Sequence, residues 1–219
     1  DFMVAHTVAR RSDGSVVAWG DNSYGQCSVP SLPAGLTYVE VAAGGSHTVA
    51  RRSDGSVVAW RLNSSGQCNV PPLAAGQTYV GVAAGEMHTL ALRSDGSVVA
   101  WGENGPGQCN VPLLPPGLTY VEIAGGTNHS AARRSDGSVV AWGDNSDGQT
   151  DVPALPSGLS YVEVAAGGLH SVARRSDGSV VAWGDNSDGQ TVVPALPSGV
   201  SYVVVGAGAV HTVARRSDG

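Results

Sequence analysis

Six histidines, His6, His47, His88, His129, His170 and His211, recur every 41 residues. Imidazoles in a series suggest zinc, but zinc needs three or four donors around one point. No local His/Cys/Asp cluster accompanies any of the six. Equivalent positions in successive units predict a structural role instead, with each His opening a strand and bonding backbone between neighbours. Cys27, Cys68 and Cys109 share one repeat position, where Thr150 and Thr191 stand in two other units. An odd thiol count interchangeable with Thr predicts neither a disulfide framework nor a zinc site. Glu40, Glu122 and Glu163 share another position, with Gly81 and Val204 in the remaining units. Carboxylates in a row could take a cation or act as acid and base. Two units lack them and no nucleophile attends them, so a solvated channel lining is expected. Arg pairs such as Arg51-Arg52 precede an Asp within three residues; this predicts a partly paired rim, not a nucleic-acid patch. No Ser-His-Asp signature, phosphate loop or dinucleotide fingerprint is present. The expectation is a chain with no catalytic site, no metal and no cofactor.

The elements that carry these residues follow from the repeat. Trp19, Trp60, Trp101, Trp142 and Trp183 are also 41 residues apart. Units fall near 1–37, 38–78, 79–119, 120–160 and 161–201, with a partial one at 202–219, and together they predict a single domain over 1–219. A period of about 40 residues points to a propeller, a helical array or a solenoid. Short runs rich in Val and aromatics, bounded by Gly turns, select strands. Four strands are predicted per unit: A (Tyr38–Ala43), B (His47–Arg52), C (Ser56–Trp60) and D (Gln67–Val70). Asp-Gly at Ser53–Ser56 suits the tight B–C turn. Apolar residues on both faces of strand C require a sheet covered on both sides. The fold class is all-β, a β-propeller of four-stranded blades.

The 219 residues include 31 Gly and 12 Arg without one Lys, and the net charge is -6. That balance argues against nucleic acid as partner. Gly, Ser, Asp and Arg interrupt every apolar run, so no helical membrane insertion is expected. The chain opens at Asp1, an expected sign of processing or trimming. Residues 15–219 make five periods. Either the last A and B strands join strands C and D near Trp19 and close a five-bladed ring, leaving residues 1–14 surplus, or the chain is part of a seven-bladed wheel. The duplicated B strand favours the second.

The tract GxxHTVARRSDGSVVAWGDNSxGQ resembles the repeat of the regulator-of-chromosome-condensation family in its compact bacterial form, which includes propeller-type β-lactamase inhibitors. The resemblance covers essentially the whole chain. It implies a seven-bladed wheel, a protein-binding role, an extracellular or cell-surface setting and, most narrowly, β-lactamase as partner.

Most of each unit is invariant, and two places vary. One precedes the His: Gly45-Ser46, Glu86-Met87, Thr127-Asn128, Gly168-Leu169 and Ala209-Val210. The other lies between strands C and D: Ser23-Tyr24, Ser64-Ser65, Gly105-Pro106, Ser146-Asp147 and Ser187-Asp188. An up-down-up-down blade places the A–B and C–D loops at one end. That face is the expected docking surface for an unidentified protein, with Tyr24, Ser46, Arg61, Leu62, Glu86, Met87, Asn128, Asp147, Leu169, Asp188 and Val210 as its candidate contacts. Apart from Tyr24 the loops carry modest side chains, which argues against tight β-lactamase inhibition. A carbohydrate-binding wheel would repeat one pocket per blade, and these loops differ. A passive spacer in a larger surface protein is the remaining alternative.

Overall fold

The computed structural model describes residues 6–219, and strands are its only regular elements. In chain order, β1 (His6–Arg10) and β2 (Val16–Gly20) form a two-stranded sheet. Three-stranded sheets follow: β3 (Tyr38–Ala43), β4 (His47–Arg52) and β5 (Val57–Arg61); then β6 (Tyr79–Ala84), β7 (His88–Arg93) and β8 (Val98–Gly102). The next two are β9 (Tyr120–Gly125), β10 (His129–Arg134) and β11 (Val139–Gly143), and β12 (Tyr161–Ala166), β13 (His170–Arg175) and β14 (Val180–Gly184). β15 (Tyr202–Ala207) and β16 (Thr212–Arg216) close the series as a pair. Every ladder is antiparallel, and His47 faces Arg61 where Arg51 faces Val57.

Strands A, B and C stand where the Val-rich runs and Asp-Gly turns place them. The outer segment, expected as strand D at Gln67–Val70, differs: it runs as a turn without ladder pairing. Its carbonyls have other work. The Gln67 carbonyl accepts from the Thr89 hydroxyl at 2.8 Å and from Trp101 Nε1–H at 2.9 Å, both in the following unit. Pro71 and Pro72 then remove two ladder donors. The outer segment is therefore a wedge between blades, bound chiefly by side chains.

The core lies between units. Val49 of one blade packs with Tyr79, Val82, Ala91 and Trp101 of the next, with Val70 and Leu73 of the intervening wedge against them. Trp60, Trp101, Trp142 and Trp183 are buried at 7–9% exposure, whereas Trp19 is 54% exposed. Each buried indole donates to the Gln carbonyl 34 residues earlier, as Trp60 does to Gln26. β2 and β16 belong to separate sheets. The five-bladed closure that would join them is thus not the arrangement found among the described residues.

Two ends of the stack are distinguished by hydrogen bonds. At one, the B–C turn meets the D–A connector, with Tyr38 N–H on Gly14 O at 3.0 Å and Ser53 N–H on Thr37 O at 2.9 Å. Five Tyr hydroxyls secure that connector, Tyr79 on the Pro71 carbonyl at 2.8 Å for example. At the other end stand the A–B and C–D loops.

Candidate functional site: the loop face

Within each unit the two variable loops are tied together. Leu62 N–H donates to Ser46 O at 3.2 Å, Glu103 to Met87 O, Asp144 to Asn128 O and Asp185 to Leu169 O, the last three at 2.9 Å. So tight a meeting leaves no room for a Cβ at the residue ending strand C: one on Gly102 would lie 2.6 Å from the Met87 carbonyl. Glycine occupies this place at 20, 102, 143 and 184, with φ between 103° and 111°. Arg61 stands there in the second unit at φ 92°, the one non-glycine with positive φ among the described residues.

The C–D loop is wired internally. Asn22 Oδ1 accepts from Cys27 N–H at 2.9 Å, and the Gln26 side chain accepts from Tyr24 N–H at 3.0 Å while donating to Asp21. Gln26 is fully buried, so the residue at the tip, Tyr24 here, is held outward on a braced loop. Gln108 is the exception. Pro106 has no N–H to offer it, and the Glu103 carboxylate, which accepts from Gly105 N–H at 3.0 Å and from the Ser65 hydroxyl at 3.3 Å, does not accept from it, so the fully buried carboxamide has no protein partner on either atom.

Beneath the loops runs the histidine series. His47 Nε2 meets Thr89 Oγ1 of the next blade at 2.9 Å, and His88, His129 and His170 meet Ser130, Ser171 and Thr212 likewise. The expected partner was backbone; the partner found is a hydroxyl. Burial lowers these imidazoles below their usual range, to about 4 for His47 and His129 and about 3 for His88. The Gly-x-x-His landmark has the same origin, because a Cβ on Gly44 would lie 2.4 Å from the His47 ring. Among the described residues no group of three or more His, Cys, Asp or Glu is placed to hold a metal ion. Burial also pushes the Cys68 and Cys109 thiols up to about 11, and each Sγ–H donates to a nearby carbonyl. They are poor nucleophiles at neutral pH.

The carboxylates of strand A are more than a solvated lining. Glu40, Glu122 and Glu163 each pair with the first Arg of the facing B strand, at 2.9, 2.8 and 2.9 Å. Where Gly81 replaces the acid, Leu92 replaces the arginine opposite. The turn Asp residues do not take the Arg pairs as expected, except that Arg216 meets Asp218 at 3.0 Å. Asp54 instead accepts the hydroxyl and amide of Ser56, which hold its carboxyl below the usual range.

The eleven candidate contacts occupy two zones. Ser46 and Glu86 line a cavity of about 490 Å³ at the mouth of the stack, formed by the Gly-rich A–B turns of all the units and by His6. Asp188 and Val210 line a smaller cleft of about 260 Å³. Tyr24, Arg61, Asp147, Asp188 and Val210 are exposed, and Leu62, Met87, Asn128 and Leu169 are half-buried beneath them. The Arg61 guanidinium lies across Gly25, next to Tyr24: a Cβ there would be 2.9 Å from Cζ.

The spacing of single acids concealed a charge partition. Eleven of the twelve arginines end B strands, away from this face; Arg61 alone stands on it. Asp21, Glu86, Glu103, Asp144, Asp147, Asp151, Asp185 and Asp188 stand there too. Among the described residues, eight carboxylates against one arginine give the loop face a net charge of -7. Eleven arginines against nine carboxylates leave the opposite half at +2.

Stacked antiparallel sheets with a repeated clasp between neighbours define a propeller-type repeat protein. The family model described as the regulator of chromosome condensation (RCC1) repeat matches residues 5–26, 38–67, 79–108, 120–149 and 161–190, and the chain belongs to this family. Among solved structures it is similar to yeast RCC1 (Prp20) bound to Kap60, at 24% identity and TM-score 0.78, over 96% of this chain and 66% of that one. It is similar also to Prp20p of Saccharomyces cerevisiae, a structure described with its binding to Gsp1p and histones, at 23% identity and TM-score 0.80 over 96% and 67%. The ectodomain of the Arabidopsis thaliana receptor kinase ACR4 matches at 26% identity and TM-score 0.68, over 93% and 69%. The chain therefore spans about two thirds of the length of these proteins. A search among curated protein sequences finds no match.

Proposed function

We propose that the chain is a non-catalytic protein-binding scaffold, that residues 1–219 act as one propeller domain, and that the docking surface is the face built from the A–B and C–D loops. The observation that supports this best is the hydrogen bond joining the two variable loops in four successive units. It braces the parts of the repeat that differ into one patch per unit, while the clasped interior stays constant. Binding residues on loops over a rigid scaffold are the usual arrangement. The likeness to a yeast protein solved with Kap60 agrees with a protein partner of some kind.

Tyr24 and Arg61, side by side at the outer rim, are the residue types that most often anchor protein interfaces. Affinity capture from the native organism tests the reading. The wild-type chain retains a partner that is lost when Tyr24, Glu86, Met87, Asn128 and Leu169 are replaced by residues from the other units. Equal retention by both chains rejects the loop face.

A further inference from the structure

The partition of charge says what kind of protein the face would accept. Strands of five or six residues at about 3.4 Å each separate the two ends by roughly 17–20 Å. That exceeds the Debye length of about 8 Å at physiological salt. A partner at the loop face therefore meets a charge of -7 with little compensation from the arginines beyond. The acids are not spread evenly. They run from Glu86 and Glu103 through Asp144 and Asp147 to Asp185 and Asp188, and Arg61 with Leu62 interrupts the tract before Asp21.

A second observation lies in the middle of the same tract. Gln108 is fully buried, and its carboxamide has neither an acceptor for Nε2 nor a donor for Oε1 among the protein groups. Its counterparts Gln26, Gln149 and Gln190 have both, from the loop amide two residues before and the acid five before. Leaving a buried amide unmatched is costly, so the third C–D loop, Gly105-Pro106-Gly107, is the place where incoming groups recover lost hydrogen bonds.

We infer that the loop face docks a lysine- or arginine-rich segment of its protein partner, laid along the acidic tract of the third to fifth units, and that the third C–D loop, which lacks the Gln brace, yields so that the buried Gln108 carboxamide takes an ammonium or guanidinium donor on Oε1 and gives Nε2–H to the segment's backbone. This rests on the protein-binding reading above and adds the chemistry of the partner. Arg61 repels the segment at one end and so fixes where it stops.

The probe is a fluorescein-labelled lysine–serine repeat peptide, with a glutamate–serine peptide as counterpart, titrated by anisotropy at low and high salt. Two triple variants change net charge equally: Glu86→Gln, Asp147→Asn, Asp188→Asn on the tract, and Glu40→Gln, Glu122→Gln, Glu163→Gln on the opposite half. The tract variant is expected to bind about tenfold more weakly and the other to change less than about twofold. Equal loss in both, or no binding of the lysine peptide to the wild-type chain, overturns the inference. Unchanged circular dichroism in the tract variant excludes unfolding as the cause of its loss. A photo-crosslinker placed at Tyr24, with Ser53 as reference on the far end, separates the two readings. A captured protein whose attachment survives the tract substitutions keeps the docking face and removes the cationic partner. No capture at Tyr24 beyond that at Ser53 removes both.

Discussion

His47 of one blade reaches Thr89 of the next, Nε2 to Oγ1 at 2.9 Å, and this contact, repeated at His88, His129 and His170, fixes which ring nitrogen carries the proton. A hydroxyl has one proton to give. Thr89 gives it to the Gln67 carbonyl at 2.8 Å, so it can only accept from the imidazole. His47 is therefore the Nε2–H tautomer. Its Nδ1 is buried without a partner and cannot carry a second proton cheaply.

Stability should consequently fall in mild acid. His47, His88 and His129 titrate at about 4, 3 and 4 in the folded chain, against an ordinary value of 6.5. Burial is the main cause, and the neighbouring imidazoles add to it. Between these limits the unfolded chain binds more protons than the folded one, so lowering the pH favours unfolding. Stability is whole above about pH 6.5 and declines toward pH 4 by about 1.4 kcal/mol per unit for each histidine. Thermal melts from pH 7.5 downward should show Tm dropping well before the carboxylates titrate. A flat Tm between pH 7 and 5 would contradict the assignment.

The hydroxyl itself can be removed. Thr89→Val keeps the shape but leaves the His47 N–H buried and unanswered, at a cost of about 1–3 kcal/mol. Thr89→Ser should restore nearly all of it, because Ser130 and Ser171 already do this work in other units. Urea midpoints of the three chains give the comparison. A valine chain as stable as the serine chain would mean the clasp carries no weight.

The indoles make a matched internal pair. Trp101 is 9% exposed and donates to the Gln67 carbonyl; Trp19, of the same repeat position, is 54% exposed. Trp101→Ala should cost about 3–5 kcal/mol through lost burial and a cavity. Trp19→Ala should cost less than about 1 kcal/mol, the scale of surface substitutions. Similar losses at both positions would show that the end of the stack is covered in solution.

What could be read from the sequence was what each unit decides locally. Val-rich runs and Asp-Gly turns set strands A, B and C within a residue, and alternation of direction put the variable loops on one end. The fourth strand failed because its fate depends on the next unit: Gln67 looks extended, yet its carbonyl serves Thr89 and Trp101. The His47–Thr89 contact is invisible for the same reason, its partners lying 42 positions apart. The Glu40–Arg51 pair was within reach. Gly81 and Leu92 change together in the one unit that lacks both charges, a signal of facing positions. The buried Gln26 and its equivalents were also missed as loop braces, though Asn-x-x-Gly-Gln recurs in every unit.

Arg61 offers the sharpest separation of stability from binding. Its φ of 92° is one that L-residues adopt at a cost of about 1–3 kcal/mol, and the structure holds it there with the Leu62 amide on Ser46 O. Glycine fills this position in four other units, so Arg61→Gly meets no new contact and relieves the backbone. The guanidinium crossing Gly25 returns part of that cost as packing. The net expectation is a gain of about 1 kcal/mol, or a few degrees in Tm. If this arginine anchors a partner beside Tyr24, the same variant should hold that partner less well while melting higher. A chain that melts lower would instead make the Arg61–Gly25 contact a structural one, and would leave Tyr24 as the anchor of the rim.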